Sequence, residues 1–235
     1  FRRVLFRSGH IYQLARVFRN GERSSTHAPE FTMLEWYRSP GCLDEIMADT
    51  ETLISTVAEA VGGPWRPART ERISVSEAFL RVGLEDPLEH LENLEGLRRG
   101  LEVPAVDGDT WDDVFFRAFF ERVEASFAPD TVTLLHGYPA PMAALARIDA
   151  HDPRRAERFE VYVGHLELGN AFFELTNPEE QRKRFEDDLQ LRRSLDRPLY
   201  PVDEGLLTDL GSIGDAAGIA LGLDRILMLC LGLET

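Results

Sequence analysis

The sequence predicts an α+β fold, in which helices pack on an antiparallel sheet and one helical segment is inserted between strands. Strand-like segments group at residues 11–38 and 131–174. Segments with apolar residues at helical spacing lie at 43–61, 111–127 and 178–195. A sheet with helices packed on it accounts for this order of segments.

The first half of the sheet is predicted from a hairpin. Ile11–Arg19 is apolar and aromatic, which favours a buried central strand. Asn20–Pro29 has the composition of a loop, and Glu30–Arg38 then predicts the second strand of the hairpin. Leu43–Val61 carries apolar residues at helical spacing, and the Gly-Gly-Pro that begins at Gly62 ends this helix.

The segment from about 64 to 128 is expected to be the helical insertion. It begins with a stretch rich in proline, glycine and charge, in which short helices are predicted near 74–82 and 88–99. Trp111–Phe127 then predicts a strong amphipathic helix. Its expected core residues are Phe115, Phe116, Phe119, Phe120 and Val123.

The rest of the chain predicts strands followed by helices. Strands are expected at 131–136, 144–148, 158–163, 166–175 and 219–223, and helices at 178–195, 203–210 and 224–231. Asn177 is a suitable N-cap for the helix that Pro178 opens.

The composition excludes some classes of function. The net charge is −15, from 26 basic and 41 acidic residues, which counts against a partner bound through a nucleic-acid backbone. No apolar run approaches the roughly 18 residues that a membrane span needs. Cys42 and Cys230 lie far apart without metal-ligand spacing, so a reduced, cytoplasmic protein is the simple interpretation.

Two arginines have the surroundings of phosphate ligands. Arg19 leaves the first strand, and His27 and Phe31 follow at a spacing that lets the loop fold over a nucleotide, with Phe31 as a face for adenine. Arg225 follows a strand that Gly218 and Gly222 flank, where backbone could approach a ligand closely. Surface salt bridges are the alternative for both arginines.

A hairpin at 158–174 offers carboxylates for a metal. If Gly164-His165 is a two-residue turn, Tyr162 pairs with Glu167, and Glu160 shares their face. Glu160 and Glu167 would then be diagonal neighbours able to share a cation, and oxygen ligands of this kind suit Mg²⁺. The alternative is that the two carboxylates are merely exposed.

A second set of candidate site residues follows on the strand that carries Glu167. Asn170, Phe172 and Glu174 have the opposite parity from Glu167, and a bulge near Gly169 would bring both sets to one side. Glu174, together with Glu35 and Tyr37 on the second strand, could then hold the amines of a diamino acid, unless the two glutamates serve only as salt-bridge partners.

These motifs resemble class II aminoacyl-tRNA synthetases, whose motif 2 is similar to residues 18–38 and motif 3 to residues 218–235. The resemblance covers Gly9–Thr235 and is closest to the lysyl branch, especially to its paralogues that modify elongation factor P. EFTMLEWYR and GIALGLDRILMLCLG carry it. The first eight residues, FRRVLFRS, match one frame of a sequencing adapter, and we expect them to be foreign.

The resemblance implies a role for each matching residue. ATP would be bound by Arg19, Glu22, His27, Phe31, Gly222 and Arg225, of which Arg19 and Arg225 would be catalytic. Glu160 and Glu167 would hold Mg²⁺. The pocket for a lysine-like substrate would be lined by Glu35, Tyr37, Asn170, Phe172, Glu174 and Ala220. Ala220 stands where tRNA-charging lysyl enzymes tend to carry glycine.

The implied function is an ATP-dependent ligase that activates (R)-β-lysine as an adenylate and transfers it to a lysine of elongation factor P. The alternatives are the catalytic core of a lysyl-tRNA synthetase and a non-catalytic module that binds a nucleotide or amino acid. The family also implies a homodimer, built through an N-terminal portion that precedes the single catalytic domain of residues 9–235.

Overall fold

A computed structural model describes residues 9–21 and 27–233. In this part of the chain seven strands form one sheet in the order β1-β2-β7-β6-β5-β4-β3. The strands are β1 (Ile11–Phe18), β2 (Glu30–Arg38), β3 (Arg69–Ser74), β4 (Thr131–Pro139), β5 (Arg155–Val163), β6 (Leu166–Phe173) and β7 (Ala217–Gly222). All neighbours pair antiparallel except β3 and β4, which are parallel, so the sheet is mixed.

The helices alternate with these strands or follow them. They are α1 (Leu43–Val61), α2 (Val75–Arg81), α3 (Leu94–Gly100), α4 (Trp111–Ala118), α5 (Pro178–Ser194), α6 (Glu204–Leu210) and α7 (Leu223–Leu231). Short 3₁₀ turns stand at Pro87–His90, Glu124–Ser126 and Ala140–Met142. The predicted α+β fold class is therefore confirmed. No helix among the described residues has the length and apolarity that crossing a membrane requires.

Helices cover the two faces of the sheet unequally. Helices α1 and α7 pack on one face, against side chains such as Phe159, Val161 and Ile219. On the other face, α2–α4 pack at the β3–β5 end, and α5 and α6 pack at the β1–β2 end around Tyr37. The middle of this second face is left for the candidate site.

Several local predictions are confirmed in detail. Helix α1 has the predicted bounds, and Gly62 ends it in the left-handed conformation with φ of 68°. The Asn177 side chain accepts hydrogen bonds from the backbone N–H groups of Glu179 and Glu180, which caps α5 as expected.

The prediction that 11–19 forms a buried central strand is wrong. Strand β1 lies at the edge of the sheet, where Tyr12 is 78% and Phe18 73% exposed. An apolar composition is typical of a central strand, but position in the sheet depends on pairing between distant segments. Here β7 rather than β1 occupies the inner position beside β2.

The insertion differs from its prediction in two ways. Residues Arg69–Ser74 form a strand that was not expected, and it adds the parallel edge. The long helix from Trp111 changes to a π-helical turn over Phe119–Val123, which shifts the helical register. Of the predicted core residues, Phe115, Phe119 and Val123 are buried. Phe116 and Phe120 instead lie on the outward side of the helix, where they are exposed and stack on each other with ring centroids 5.6 Å apart.

The prediction of a strand at 144–148 is also wrong. Ala146 pairs with Glu174 and Ile148 with Ala156, each through a single bridge. The segment follows the 3₁₀ turn Ala140–Met142 and reaches Ala144 in the left-handed conformation with φ of 50°. This bent backbone prevents a continuous ladder.

Candidate functional site

Four predicted site residues stand in one row across four strands. In the sheet, Glu35 of β2 pairs with Ala220 of β7, Ala220 pairs with Asn170 of β6, and Asn170 pairs with Glu160 of β5. Residues directly opposite each other share a face of the sheet. The central position of β7 thus brings the β2 residues and the carboxylate hairpin together, although nearly 200 residues separate Glu35 from Ala220.

The next row on this face aligns four residues, of which Tyr37 and Phe172 were predicted to line the substrate site. Tyr37 pairs with Gly218, Gly218 with Phe172, and Phe172 with Arg158. A Cβ atom on Gly218 would lie 2.2 Å from Cδ1 of Tyr37, so a glycine is what allows the Tyr37 ring to lie across β7. Glu174, just beyond this row, is buried, and its backbone N–H donates to the Ala216 carbonyl at 2.8 Å.

The predicted turn and bulge of the hairpin are both confirmed. Val163 pairs with Leu166 and Tyr162 with Glu167, which is the register of a two-residue turn at Gly164-His165. Val161 then pairs with Gly169, so Leu168 is an extra residue in β6. This bulge turns Glu167 and Asn170 to the same face of the sheet.

A cavity of about 270 Å³ opens beside these rows. The predicted site residues that line it are Arg19, His27, Phe31, Glu167, Asn170, Ala220, Gly222 and Arg225. Glu35, Tyr37, Glu160, Phe172 and Glu174 do not line this cavity but occupy the adjoining rows. Glu22 lies outside the described residues. The functional assignment of every one of these residues stays a prediction.

Two arginines lie on the side of the cavity where the phosphates are predicted to bind. The Arg19 guanidinium carbon lies 5.5 Å from the centroid of the Phe31 ring, within cation–π range. The guanidinium of Arg225 donates to the Glu167 carbonyl, and its second terminal nitrogen lies 3.1 Å from Nε2 of His27. Residues from the predicted motif 2 and motif 3 therefore meet in one place.

Asp224 joins the two motifs and was not among the predicted site residues. Its Oδ2 accepts a hydrogen bond of 2.7 Å from the Thr32 backbone N–H, where β2 extends beyond the end of its ladder with β7. Asp224 lines the cavity together with Met33 and Met228. The sequence signal for Asp224 was its place directly before Arg225.

Gly222 lines the cavity without being required by the packing of the chain. A Cβ atom there would meet the Leu168 carbonyl oxygen at 3.5 Å and Cδ of Arg225 at 3.9 Å, which are ordinary contacts. The structure would therefore accommodate a methyl group. The glycine leaves that volume to the cavity.

Glu160 is held by four side-chain donors. Its Oε2 accepts hydrogen bonds from the hydroxyls of Tyr138, at 2.6 Å, and Tyr162, at 2.5 Å. Its Oε1 accepts from the Arg158 guanidinium and from Nδ2 of Asn170, at 3.3 Å. Burial, followed by the Glu160 charge, raises the pKa of both tyrosines, so both hydroxyls stay protonated as donors.

Glu167 has a different environment. Within residues 9–21 and 27–233, no hydrogen-bond donor reaches its carboxylate. Burial, and secondarily the charge of Glu160, raises the pKa of Glu167 to about 7, against the opposing influence of Arg225, Arg158 and Arg19. Two carboxylates that repel each other, one buried and one half-buried, fit a divalent cation, and their hard oxygens suit Mg²⁺.

Arg158 contacts several residues of the site, although it was not predicted from the sequence. Its guanidinium pairs with Glu160, donates to Oδ1 of Asn170 at 3.2 Å, and donates to the Met142 carbonyl at 2.8 Å. Its guanidinium carbon also lies 5.6 Å from the Phe172 ring centroid. The available signal was its position two residues before Glu160, which places both on one face of β5.

The fold and the cavity together define a class II synthetase-like catalytic domain, with motif 2 and motif 3 residues on one face of the sheet. A family model described as tRNA synthetases class II (D, K and N) matches residues 1–235. The chain belongs to this family.

The chain is also similar to three proteins named elongation factor P--(R)-beta-lysine ligase. It is 40% identical over 231 residues to the one from Pectobacterium carotovorum subsp. carotovorum (strain PC1) and 38% identical over 231 residues to the one from Proteus mirabilis (strain HI4320). It is 39% identical over 234 residues to the one from Photorhabdus laumondii subsp. laumondii. Each match covers 97% of this chain and 69% of the relative.

Proposed function

We propose that this protein is an ATP-dependent ligase that activates (R)-β-lysine as an adenylate and transfers it to a lysine side chain of elongation factor P. One observation carries the proposal: Ala220 lines the same cavity as Arg19 and Arg225. The names of the similar proteins and the class II family support it. The acidic composition and the absence of a membrane-spanning helix from the described residues fit a reaction in the cytoplasm.

The nucleotide would lie between the motif 2 and motif 3 residues. Phe31 offers a ring face for adenine, and Arg19 and Arg225 offer guanidinium groups for the phosphates, with His27 beside Arg225. Glu22 is proposed to contribute a carboxylate to nucleotide binding. Mg²⁺, when bound at Glu160 and Glu167, supplies neutralisation of phosphate charge. Catalysis is then positioning and charge stabilisation, and no residue needs to form a covalent intermediate.

The amino-acid substrate would lie along the two rows on the sheet. Glu35, Tyr37 and Glu174 supply two carboxylates and a phenol for the amines of a diamino acid, and the Phe172 ring supplies an apolar wall for its methylenes. Asn170 lies between this region and the carboxylates, since it pairs with both Ala220 and Glu160.

Ala220 is the proposed determinant of the β-amino substrate. Its methyl group lies in the row between Glu35 and Asn170 and faces the cavity. A methyl group there narrows the space beside the α-position of the substrate. A substrate whose amine is moved to the β-carbon avoids this contact.

The reaction begins when the substrate carboxylate attacks the α-phosphorus of ATP, which releases pyrophosphate and leaves an acyl-adenylate. The amine of an acceptor lysine then attacks the activated carbonyl, forms an amide and releases AMP. We infer that this acceptor is a lysine of elongation factor P and that the enzyme acts as a homodimer.

ATP–pyrophosphate exchange by the full-length protein tests the proposal, with (R)-β-lysine and α-lysine compared side by side. We expect (R)-β-lysine to be strongly preferred, and Ala220→Gly to reduce the preference by removing the methyl group. Incorporation of labelled (R)-β-lysine into purified elongation factor P tests the second step. Preference for α-lysine with transfer to tRNA would instead indicate a lysyl-tRNA synthetase core, and exchange with neither substrate would indicate a non-catalytic module.

A further inference from the structure

Tyr138 and Tyr162 converge on a single carboxylate oxygen. The tyrosines lie on neighbouring strands, β4 and β5, and are only 1% and 3% exposed. Both hydroxyls donate to Oε2 of Glu160, at 2.6 and 2.5 Å. A buried phenol requires a hydrogen-bond partner, but two phenols on one oxygen also fix the plane in which that carboxylate lies.

The other oxygen of Glu160 is fixed as well. Arg158 pairs with Oε1, and Arg158 is itself held by the Met142 carbonyl, at 2.8 Å, and by the Tyr138 ring, whose centroid lies 4.7 Å from its guanidinium carbon. The carboxylate therefore cannot turn without breaking hydrogen bonds at both oxygens. It stays on the face of the sheet that Glu167 shares, because Glu167 pairs with Tyr162, two residues beyond Glu160 on β5.

Two phenylalanines of the helical insertion pack against the Tyr162 ring. The ring centroids of Phe119 and Phe127 lie 5.9 and 5.4 Å from that of Tyr162. Phe119 is buried and opens the π-helical turn of Phe119–Val123. A packing contact of the insertion is thus connected through one tyrosine to a carboxylate of the candidate site.

We infer that Tyr138 and Tyr162 are positioning residues for the divalent cation and its nucleotide: their hydroxyls hold the Glu160 carboxylate in the orientation in which it and Glu167 share the metal. This inference rests on the proposed function, because it takes Glu160 and Glu167 as the metal carboxylates. Neither tyrosine needs to touch the substrate.

The test measures binding of Mn²⁺ in the presence of α,β-methylene ATP, by electron paramagnetic resonance of free Mn²⁺, with full-length protein. Hydrogen bonds to a charged group are strong enough that loss of one should weaken metal binding roughly tenfold. We expect this for Tyr138→Phe and for Tyr162→Phe. Tyr200→Phe, which removes the hydroxyl of an exposed tyrosine, is the matched control and should bind like the wild type.

A double-mutant cycle separates positioning from a merely structural role. If Tyr162 acts through Glu160, Tyr162→Phe should change Mn²⁺ binding less than about twofold once Glu160→Gln is present. An undiminished effect in that background, or tyrosine variants that lose thermal stability but bind Mn²⁺ normally, would overturn the inference alone. Absence of Mn²⁺–nucleotide binding by the wild-type protein would overturn the proposed function, and this inference with it.

Discussion

Glu160 and Glu167 lie on adjacent strands and face the same site, yet their surroundings differ. Glu160 is enclosed on the side of the insertion, where two tyrosines, an arginine and an asparagine donate to it. Glu167 faces the cavity, where no donor from residues 9–21 or 27–233 reaches its carboxylate. The orientation of the Glu160 carboxylate is thus fixed by side chains of the fold, whereas that of the Glu167 carboxylate is not.

The difference between the two carboxylates separates residues that contribute to stability from residues that contribute to ligand binding. The groups around Glu160 form a buried network in which every member depends on the others, so changes there should be felt in stability as well as in activity. The groups around Glu167, Arg19 and Arg225 line a cavity, so changes there should affect ligand binding and leave the fold intact.

The largest expected effect is on stability, from Glu160→Ala. It would remove the carboxylate that two buried tyrosine hydroxyls and the half-buried Arg158 share, and breaking a buried pair in this way costs about 3–5 kcal/mol. Glu167→Ala should not lower the free energy of unfolding, because it removes a repulsion. Urea denaturation at pH 8 measures both variants. Equal destabilisation by the two substitutions would contradict the difference between the carboxylates.

The next effect is on catalysis, from Arg19→Ala. Removing one group that stabilises developing charge costs about 10²–10³ in rate, so adenylation should nearly cease. The midpoint of thermal unfolding should stay close to that of the wild type because Arg19 lines the cavity. Arg16→Ala, an exposed arginine on β1 three residues before Arg19, is the matched control. Near-normal pyrophosphate exchange by the Arg19 variant would refute its role.

The pKa of Glu167 predicts a pH dependence. In the metal-free folded protein this pKa is raised to about 7 from 4.5, so between these values the folded state binds more protons than the unfolded state. Stability should therefore fall as pH rises from about 4.5 through 7.

Glu167→Gln tests this pH dependence because it removes the titrating group. Thermal unfolding from pH 5 to 8 in the presence of a chelator should show that the variant gains stability over the wild type as pH increases. Glu59→Gln, at an exposed position of α1, should follow the wild type. Parallel curves for the wild type and Glu167→Gln would rule out the raised pKa.

The smallest effect is expected at Gly222, where the cavity rather than the packing explains the glycine. Gly222→Ala should leave thermal stability nearly unchanged but raise the KM for ATP several-fold, since its methyl group would occupy cavity volume. Gly218→Ala is the contrasting variant, because its Cβ would collide with the Tyr37 ring and destabilise the fold. Loss of stability in the Gly222 variant would show that packing selects this glycine too.

Local features of the site could be predicted from the sequence. The two-residue turn at Gly164-His165, the bulge near Gly169 and the cap at Asn177 each depend on a few neighbouring residues with specific backbone preferences. The alternation of side chains then placed Glu160 with Tyr162 and Glu35 with Tyr37 on common faces.

Features that depend on distant pairing could not be predicted in this way. The edge position of β1 and the row from Glu35 to Glu160 both follow from the placement of β7 between β2 and β6. The exposure of Phe116 and Phe120 depends on which side of their helix the rest of the fold covers, which the spacing of apolar residues does not reveal. Arg158 was missed because its importance comes from contacts with three other segments, namely β4, β6 and the turn Ala140–Met142.

The inner position of β7 also has a consequence for folding during translation. Strands β2 and β6 are synthesised before β7, which lies between them in the sheet. Until residues 217–222 have been synthesised, one edge of each of these two strands has no partner strand. Chains emerge at roughly 5–20 residues per second, so an incomplete sheet persists for several seconds. During that interval the exposed strand edges are open to wrong partners, which makes this chain a candidate for assistance by chaperones during translation.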